Sequence, residues 1–326
     1  MVEGNDTIIR DLYRRYYAEG RTDGHAVSSH WRDFIQNLEV TPGRDGIPVS
    51  LGGFGFGDLQ SNAVLLETFT LMAAAAGILT GPNRRTSLRL IPTARKLVRK
   101  MELRFSQDAL RQVRTLAFLR QHLGNAMPKR VLIIGDGYGL LSSLLKTVYP
   151  RADLTLIDIG QVLLFQAVHC QRAFPDSQHF LFTPTASSTE SSLRHADFTY
   201  CTASEYGGLN GPFDLAINIA SMQEMAPSVV AEYFRLMRRW KVSLFYCCNR
   251  EHKKLVGGEI SDFHSYPWRP TDIHLVDELC PWHQWFVGRS VQTDGPRVWR
   301  FRVPFSNYFD GPIRHRLTRL EHENPD

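Results

Sequence analysis

Cysteine is scarce in this chain, with five in 326 residues (Cys170, Cys201, Cys247, Cys248, Cys280), and no two of them form a C-x-x-C pair. An odd number without paired spacing excludes a disulfide framework and a zinc knuckle, and points to buried thiols in a reducing cytoplasm. Long apolar runs are also missing. The longest, Ala63 to Leu79, is broken by Glu67 and falls short of the ~20 residues that cross a bilayer, so no membrane segment is expected. The first twenty residues carry Glu3, Asp6, Arg10, Asp11, Arg14, Arg15 and Glu19, which leaves no apolar stretch for a secretory signal. Net charge is low: a formal +5 over this length gives no electrostatic ground for a nucleic-acid partner. Repeats and low-complexity tracts are absent, which removes solenoids and disordered tails.

What remains, 43% apolar and 22% charged residues, is ordinary globular composition. Residues 1–127 show helical periodicity, as in Ala63 to Met72 and Asp108 to Leu123, and are expected to form a mainly helical cap that binds the acceptor or builds a homodimer. The stretch Gly52-Gly53-Phe54-Gly55-Phe56-Gly57 fails as a phosphate loop, because no strand precedes it and no Lys-Ser/Thr follows; a loop or lid is expected. The basic stretch Arg84 to Arg104 reads as a solvated helix face over a stripe of Leu90, Leu97, Val98 and Met101, with phosphate docking as the alternative.

From Pro128 the pattern changes to short apolar strands alternating with amphipathic helices, which predicts a mostly parallel sheet in a Rossmann-like domain over residues 128–326. The expected strands are Arg130 to Ile134, Leu154 to Ile157, His179 to Phe182, Phe213 to Asn218 and Val242 to Cys247, with two more near Trp285 to Val287 and Val298 to Val303. Helices are expected at Leu140 to Val148, Gln161 to Ala173 and Pro227 to Arg239.

The central motif is Val131-Leu132-Ile133-Ile134-Gly135-Asp136-Gly137-Tyr138-Gly139, an apolar strand running into G-x-G-x-G and then a helix. Glycines serve where backbone turns sharply or a ligand approaches without a Cβ in the way, and the helix start offers N–H groups to an anion. Dinucleotide enzymes use G-x-G-x-x-G/A, but here Leu140 fills the last position and the third glycine is Gly139, as in methyltransferases that bind S-adenosylmethionine (SAM). Asp158 ends the second strand, 23 residues after Gly135, where a carboxylate can accept hydrogen bonds from both ribose hydroxyls; a helix-dipole role is the alternative. Ile159, Asn218 and Ser221 complete the expected cofactor wall.

The blocks Phe213 to Met225 (with Ser221-Met222-Gln223-Glu224-Met225), Phe245 to Glu251, Tyr266-Pro267-Trp268 and Asp277 to Gln284 (with Cys280-Pro281-Trp282-His283), taken with the glycine turn, resemble the sugar O-methyltransferases of bacterial polysaccharide and glycoconjugate clusters. The likeness spans Pro128 to Phe301. It implies a class I methyltransferase sheet of about seven strands, SAM across the strand ends, and a sugar hydroxyl as methyl acceptor. One position departs: Ile133 stands where many methyltransferases place an acid for the methionine end of SAM, and Asp136 is the nearest compensation.

Methyl transfer needs an aligned acceptor and a base for its proton. His283 has the better ordinary pKa and is favoured, with Glu224 as base or orienting group. A packed loop histidine and a helix cap are their respective structural alternatives. Gln223, Asn249, Arg250, Glu251 and Trp282 are the candidate acceptor contacts; Trp268 and Trp282 offer flat faces for a sugar ring or for the core. No metal is expected, since no tight spacing such as H-E-x-x-H occurs. A non-sugar metabolite or a peptide as O- or N-methyl acceptor, a binding module that has lost catalysis, and a dehydrogenase disfavoured by Leu140 are the competing readings.

Overall fold

The computed structural model describes residues 5–43, 45–53, 72, 77–78, 81–124, 127–184, 196–287, 297–298, 301–302 and 306–322. Eight strands form its main sheet: β1 (Arg130–Ile134), β2 (Asp153–Asp158), β3 (His179–Leu181), β4 (Phe198–Thr202), β5 (Leu215–Ile219), β6 (Leu244–Arg250), β7 (Ile273–Leu279) and β8 (Ile313–Arg319). Their order is β7-β8-β6-β5-β1-β2-β4-β3. Neighbours from β6 through β3 run parallel, whereas β8 is antiparallel to both β6 and β7. This is the expected Rossmann-like, mostly parallel α/β sheet, with one strand beyond the expected seven.

The central strands are near-continuous apolar runs because both sides are covered: Val131 to Ile134, Leu215 to Ile217 and Phe245 to Cys248 are all buried. After β1 the chain leaves to β2 on one side and returns in β5 on the other. Strand order therefore reverses at β1, and a crevice opens beyond its C-terminal end, the usual ligand position in such sheets.

Seven α-helices are used below: α1 (Asn5–Tyr13), α2 (Ser29–Phe34), α3 (Arg84–Lys100), α4 (Gln107–Leu123), α5 (Leu140–Val148), α6 (Gly160–Ala173) and α7 (Pro227–Arg239). α2 and α4 start on serine caps, Ser28 and Ser106, whose Oγ atoms accept from Trp31 N and Ala109 N. α3 buries Leu90, Ala94, Leu97 and Val98, and leaves Arg84, Arg85, Arg89, Arg95, Lys96, Arg99 and Lys100 exposed, which is the solvated-face reading of the basic stretch. The N-terminal segment is fastened to the sheet through Asp23, whose carboxylate accepts from Gly160 N (2.7 Å), Ser204 Oγ (2.7 Å) and Tyr16 Oη (3.0 Å).

Three expectations are corrected. The antiparallel strands of the main sheet are β7 and β8, not Trp285 to Val287, which pairs with Ser306–Tyr308, nor Val298 to Val303, whose described part is a two-residue pairing of Arg297–Val298 with Phe301–Arg302. β8 reads Ile-Arg-His-Arg-Leu-Thr-Arg, and its charges conceal it; Asp277 of β7 neutralises Arg314 and Arg316, and Arg316 lies over Trp268 and Phe263. β4 lies inside the segment left unassigned by periodicity. The N-terminal half also holds a hairpin, Glu39–Pro42 with Pro48–Gly52. Most of the glycine-rich stretch and of Ala63 to Leu79 lies outside the described residues.

Candidate active site

A cavity of about 330 Å³ lies at the strand-order reversal, lined by Gly135, Asp136, Gly137, Tyr138, Asp158, Ser221, Gln223, Glu224, Arg250 and His283 among the expected residues. It is also lined by residues that the sequence did not single out: His30, Trp31 and Phe34 of α2, Asp108, Arg111 and Gln112 of α4, Lys253 and Phe309.

The glycine turn has a packing reason. A Cβ on Gly135 (φ +76°) would fall 2.0 Å from Ser221 Oγ, and one on Gly139 (φ +85°) would meet Cys170 Sγ at 3.0 Å and Gln166 Cα at 3.2 Å. The turn thus lies against the tip of β5 and against α6, and it borders the cavity at the same time. Ala220, also left-handed at φ 56°, lets the chain after β5 bend so that Ser221 reaches Gly135; such a conformation costs a non-glycine residue about 1–3 kcal/mol.

The start of α5 is not free for an anion, contrary to expectation. Asp136 itself accepts from Leu141 N (3.1 Å) and Ser142 N (2.9 Å), satisfying two N–H groups of the first turn. Asp158 accepts from Ile159 N (2.9 Å) and from Gln166 Nε2 (2.6 Å). Burial is the leading cause that pushes the Asp136 carboxyl up to about 7 and that of Asp158 up to about 8, against the lowering effect of these hydrogen bonds. Two half-buried carboxyls thus border one cavity.

The other wall is mixed. Trp31 and Phe34 meet edge to face at 5.1 Å and give it an aromatic surface. Glu224 is held by Lys253 Nζ at 2.7 Å and lies 3.5 Å from His30 Nε2, whose pKa burial lowers. Arg250 and Arg111 flank the Phe309 ring at 5.0 and 5.2 Å. His283 is buried with Nδ1 towards two sulfurs, 3.2 Å from Cys280 Sγ and 3.6 Å from Cys248 Sγ, while its Nε2 has no hydrogen-bond partner among the described residues.

Six expected residues do not line the cavity. Gly139 and Ile159 sit behind the glycine turn and at the N-cap of α6. Asn218 is fully buried, donating to Ile134 O and accepting from Met222 N and Asn249 Nδ2. Asn249 in turn accepts from Gln223 N, so this pair ties the ends of β1, β5 and β6 together. Glu251 is engaged by Arg314 (2.7 Å). Trp282 is core: its Nε1 donates to Thr115 Oγ1, and its ring packs on Phe118 and His315. The tryptophan that lines the cavity is Trp31.

No family model and no curated protein matches this chain. Its similarity is to solved methyltransferase structures. Magnesium protoporphyrin IX methyltransferase from Synechocystis PCC 6803, with bound S-adenosylhomocysteine, is 12% identical over 66% of this chain and 83% of its own, at a TM-score of 0.40. The N-methyltransferase NodS from Bradyrhizobium japonicum WM9 is 12% identical over 64% of this chain and 95% of its own, at 0.36. The phosphoethanolamine N-methyltransferase 2 of Haemonchus contortus, in complex with phosphomonomethylethanolamine and S-adenosylhomocysteine, is 17% identical over 42% of this chain and 28% of its own, at 0.30.

Proposed function

We propose that the chain is a SAM-dependent O-methyltransferase whose acceptor is a hydroxyl of a sugar or glycosylated molecule. The observation that carries the reading is the pair of half-buried carboxylates, Asp136 and Asp158, at the C-terminal ends of β1 and β2 on one cavity. SAM combines a diol, which suits Asp158 as an acceptor, with a sulfonium and an ammonium, which suit carboxylates bordering the cavity. SAM supplies the electrophilic methyl group. The chain aligns the acceptor oxygen with that methyl, an effect worth ~7–11 kcal/mol at best. Alignment falls to the wall of Trp31, Phe34, Gln223 and Arg250, where an aromatic surface beside hydrogen-bonding groups suits a sugar ring. The N-terminal helices thereby act as the acceptor-binding cap. Proton removal falls to the same wall, where Glu224 and His283 stand.

Titration calorimetry on the purified protein tests the cofactor: SAM and S-adenosylhomocysteine are expected to bind and NAD is not. The reverse pattern would replace the reading with a dehydrogenase. With SAM bound, transfer to monosaccharide and nucleotide-sugar acceptors supports the sugar, whereas transfer only to amines or non-sugar phenols moves the acceptor class.

Binding should also depend on pH. A cationic ligand favours the ionised carboxylates, so it depresses both pKa values and releases protons. SAM affinity is expected to rise with pH, by up to about tenfold per unit for each group below its free pKa, and to level off above 8. In the free protein the sign is opposite: these carboxyls hold protons that the unfolded chain has lost between about pH 4 and 8, so they make stability fall as pH rises through that window. Calorimetry in buffers of differing ionisation enthalpy checks the proton count; a heat independent of buffer at pH 7 would refute it.

A further inference from the structure

We propose that Cys248, Cys280 and His283 bind a divalent transition metal ion, zinc in the first instance. Cys248 comes from β6, and the other two from the turn Cys280-Pro281-Trp282-His283 after β7; all three are buried. Their ligand atoms lie within 4.8 Å of one another, with Nδ1 of His283 at 3.2 and 3.6 Å from the two sulfurs. Tetrahedral zinc, with Zn–S near 2.3 Å and Zn–N near 2.0–2.1 Å, sets nitrogen and sulfur ligands about 3.5 Å apart. Both separations are therefore close to the edges of a coordination tetrahedron.

An imidazole Nδ1 has either one proton or one lone pair, so it can satisfy one of the two sulfurs. One metal ion satisfies all three groups at once. The cluster is held ready by its backbone: Cys280 N donates to Ile313 O, and Gln284 Nε2 binds Cys280 O while its Oε1 accepts from Ile313 N. Three protein ligands leave one coordination position, the composition of a zinc site that takes a water or a bound molecule.

The consequence for the methyl acceptor rests on the proposed function, though the metal does not. Ligation through Nδ1 fixes the remaining proton on Nε2, the nitrogen without a partner among the described residues, on a residue that lines the cavity. His283 is then a hydrogen-bond donor to bound ligand, and Glu224 is the group that takes the acceptor's proton.

Metal analysis of the intact chain, expressed with zinc in the medium and freed of loosely bound metal by a weak chelator, is expected to find on the order of one zinc per chain. Cys248→Ala and Cys280→Ala should each lower this to about a tenth or less. Replacement by cobalt(II) should give the near-ultraviolet thiolate-to-cobalt absorption and the intense visible bands of a tetrahedral site, and these bands report on the wild-type chain if either variant fails to fold. A folded wild-type chain without zinc and without thiolate-cobalt bands overturns the proposal, and so does zinc retained in both variants. Neither readout needs SAM or an acceptor, so their failure is distinct from failure of the methyltransferase reading.

Discussion

Replacing Asp158 by alanine is expected to weaken SAM binding about a hundredfold, since two hydrogen bonds to a charged acceptor are lost at ~1.5–3 kcal/mol apiece before compensation by water. The carboxylate ends β2 beside the glycine turn, and the protein already gives it two donors, Ile159 N and Gln166 Nε2. Removing it leaves both donors unpartnered in a buried place, at a stability cost of about 1–3 kcal/mol each. Asp158→Asn is therefore the better-behaved companion. It keeps the volume and one acceptor oxygen, and should still weaken binding by on the order of tenfold, because the negative charge that accepts from the ribose and favours a cationic ligand is gone. It should also remove the part of the pH dependence that belongs to Asp158. Calorimetric dissociation constants for SAM and S-adenosylhomocysteine decide the matter, with circular dichroism showing that each variant is folded. An unaltered constant in both variants would take the ribose role away from Asp158.

The glycine-turn wall of the cavity was legible in the chain because its signal is local. An apolar strand, three glycines, a helix and an acid at the next strand tip occur in order between Val131 and Asp158, and each follows from short-range rules of turn and strand. The opposite wall was not legible. His30, Trp31 and Phe34 lie on a six-residue helix with no buried residue, so no periodic stripe marks them. Polar residues near the strand tips misled in the other direction: Asn218 and Asn249 look like ligand contacts but hold the ends of β1, β5 and β6 to one another. β7 and β8 failed for a related reason. β7 is exposed at almost every position and β8 carries three arginines and a histidine, so neither shows the apolar alternation by which strands are recognised. Cys280 and His283 raised no expectation of a metal, because their third partner, Cys248, is brought to them only by the pairing of β6 with β8 and of β8 with β7.

Glu224→Gln is expected to lower methyl transfer by ~10²–10⁴-fold while SAM affinity stays within about threefold, because a positioned base acts on the acceptor's proton and leaves cofactor binding alone. The carboxylate stands on the 3₁₀ turn after β5, with Lys253 Nζ at 2.7 Å and His30 Nε2 at 3.5 Å. The lysine fixes its direction. His30, kept neutral by burial, can receive the proton in turn. Glutamine preserves the shape and an acceptor oxygen, so loss of turnover with intact cofactor binding isolates the proton transfer from positioning. His283→Ala should also lower turnover, through the donor it withdraws from the cavity and the metal ligand it removes. The two variants differ in what they take with them: Glu224→Gln is expected to keep its metal and His283→Ala to lose it. If Glu224→Gln turns over at the wild-type rate while His283→Ala is inactive at full zinc content, the proton goes to the imidazole, and Nδ1 of His283 is not a metal ligand.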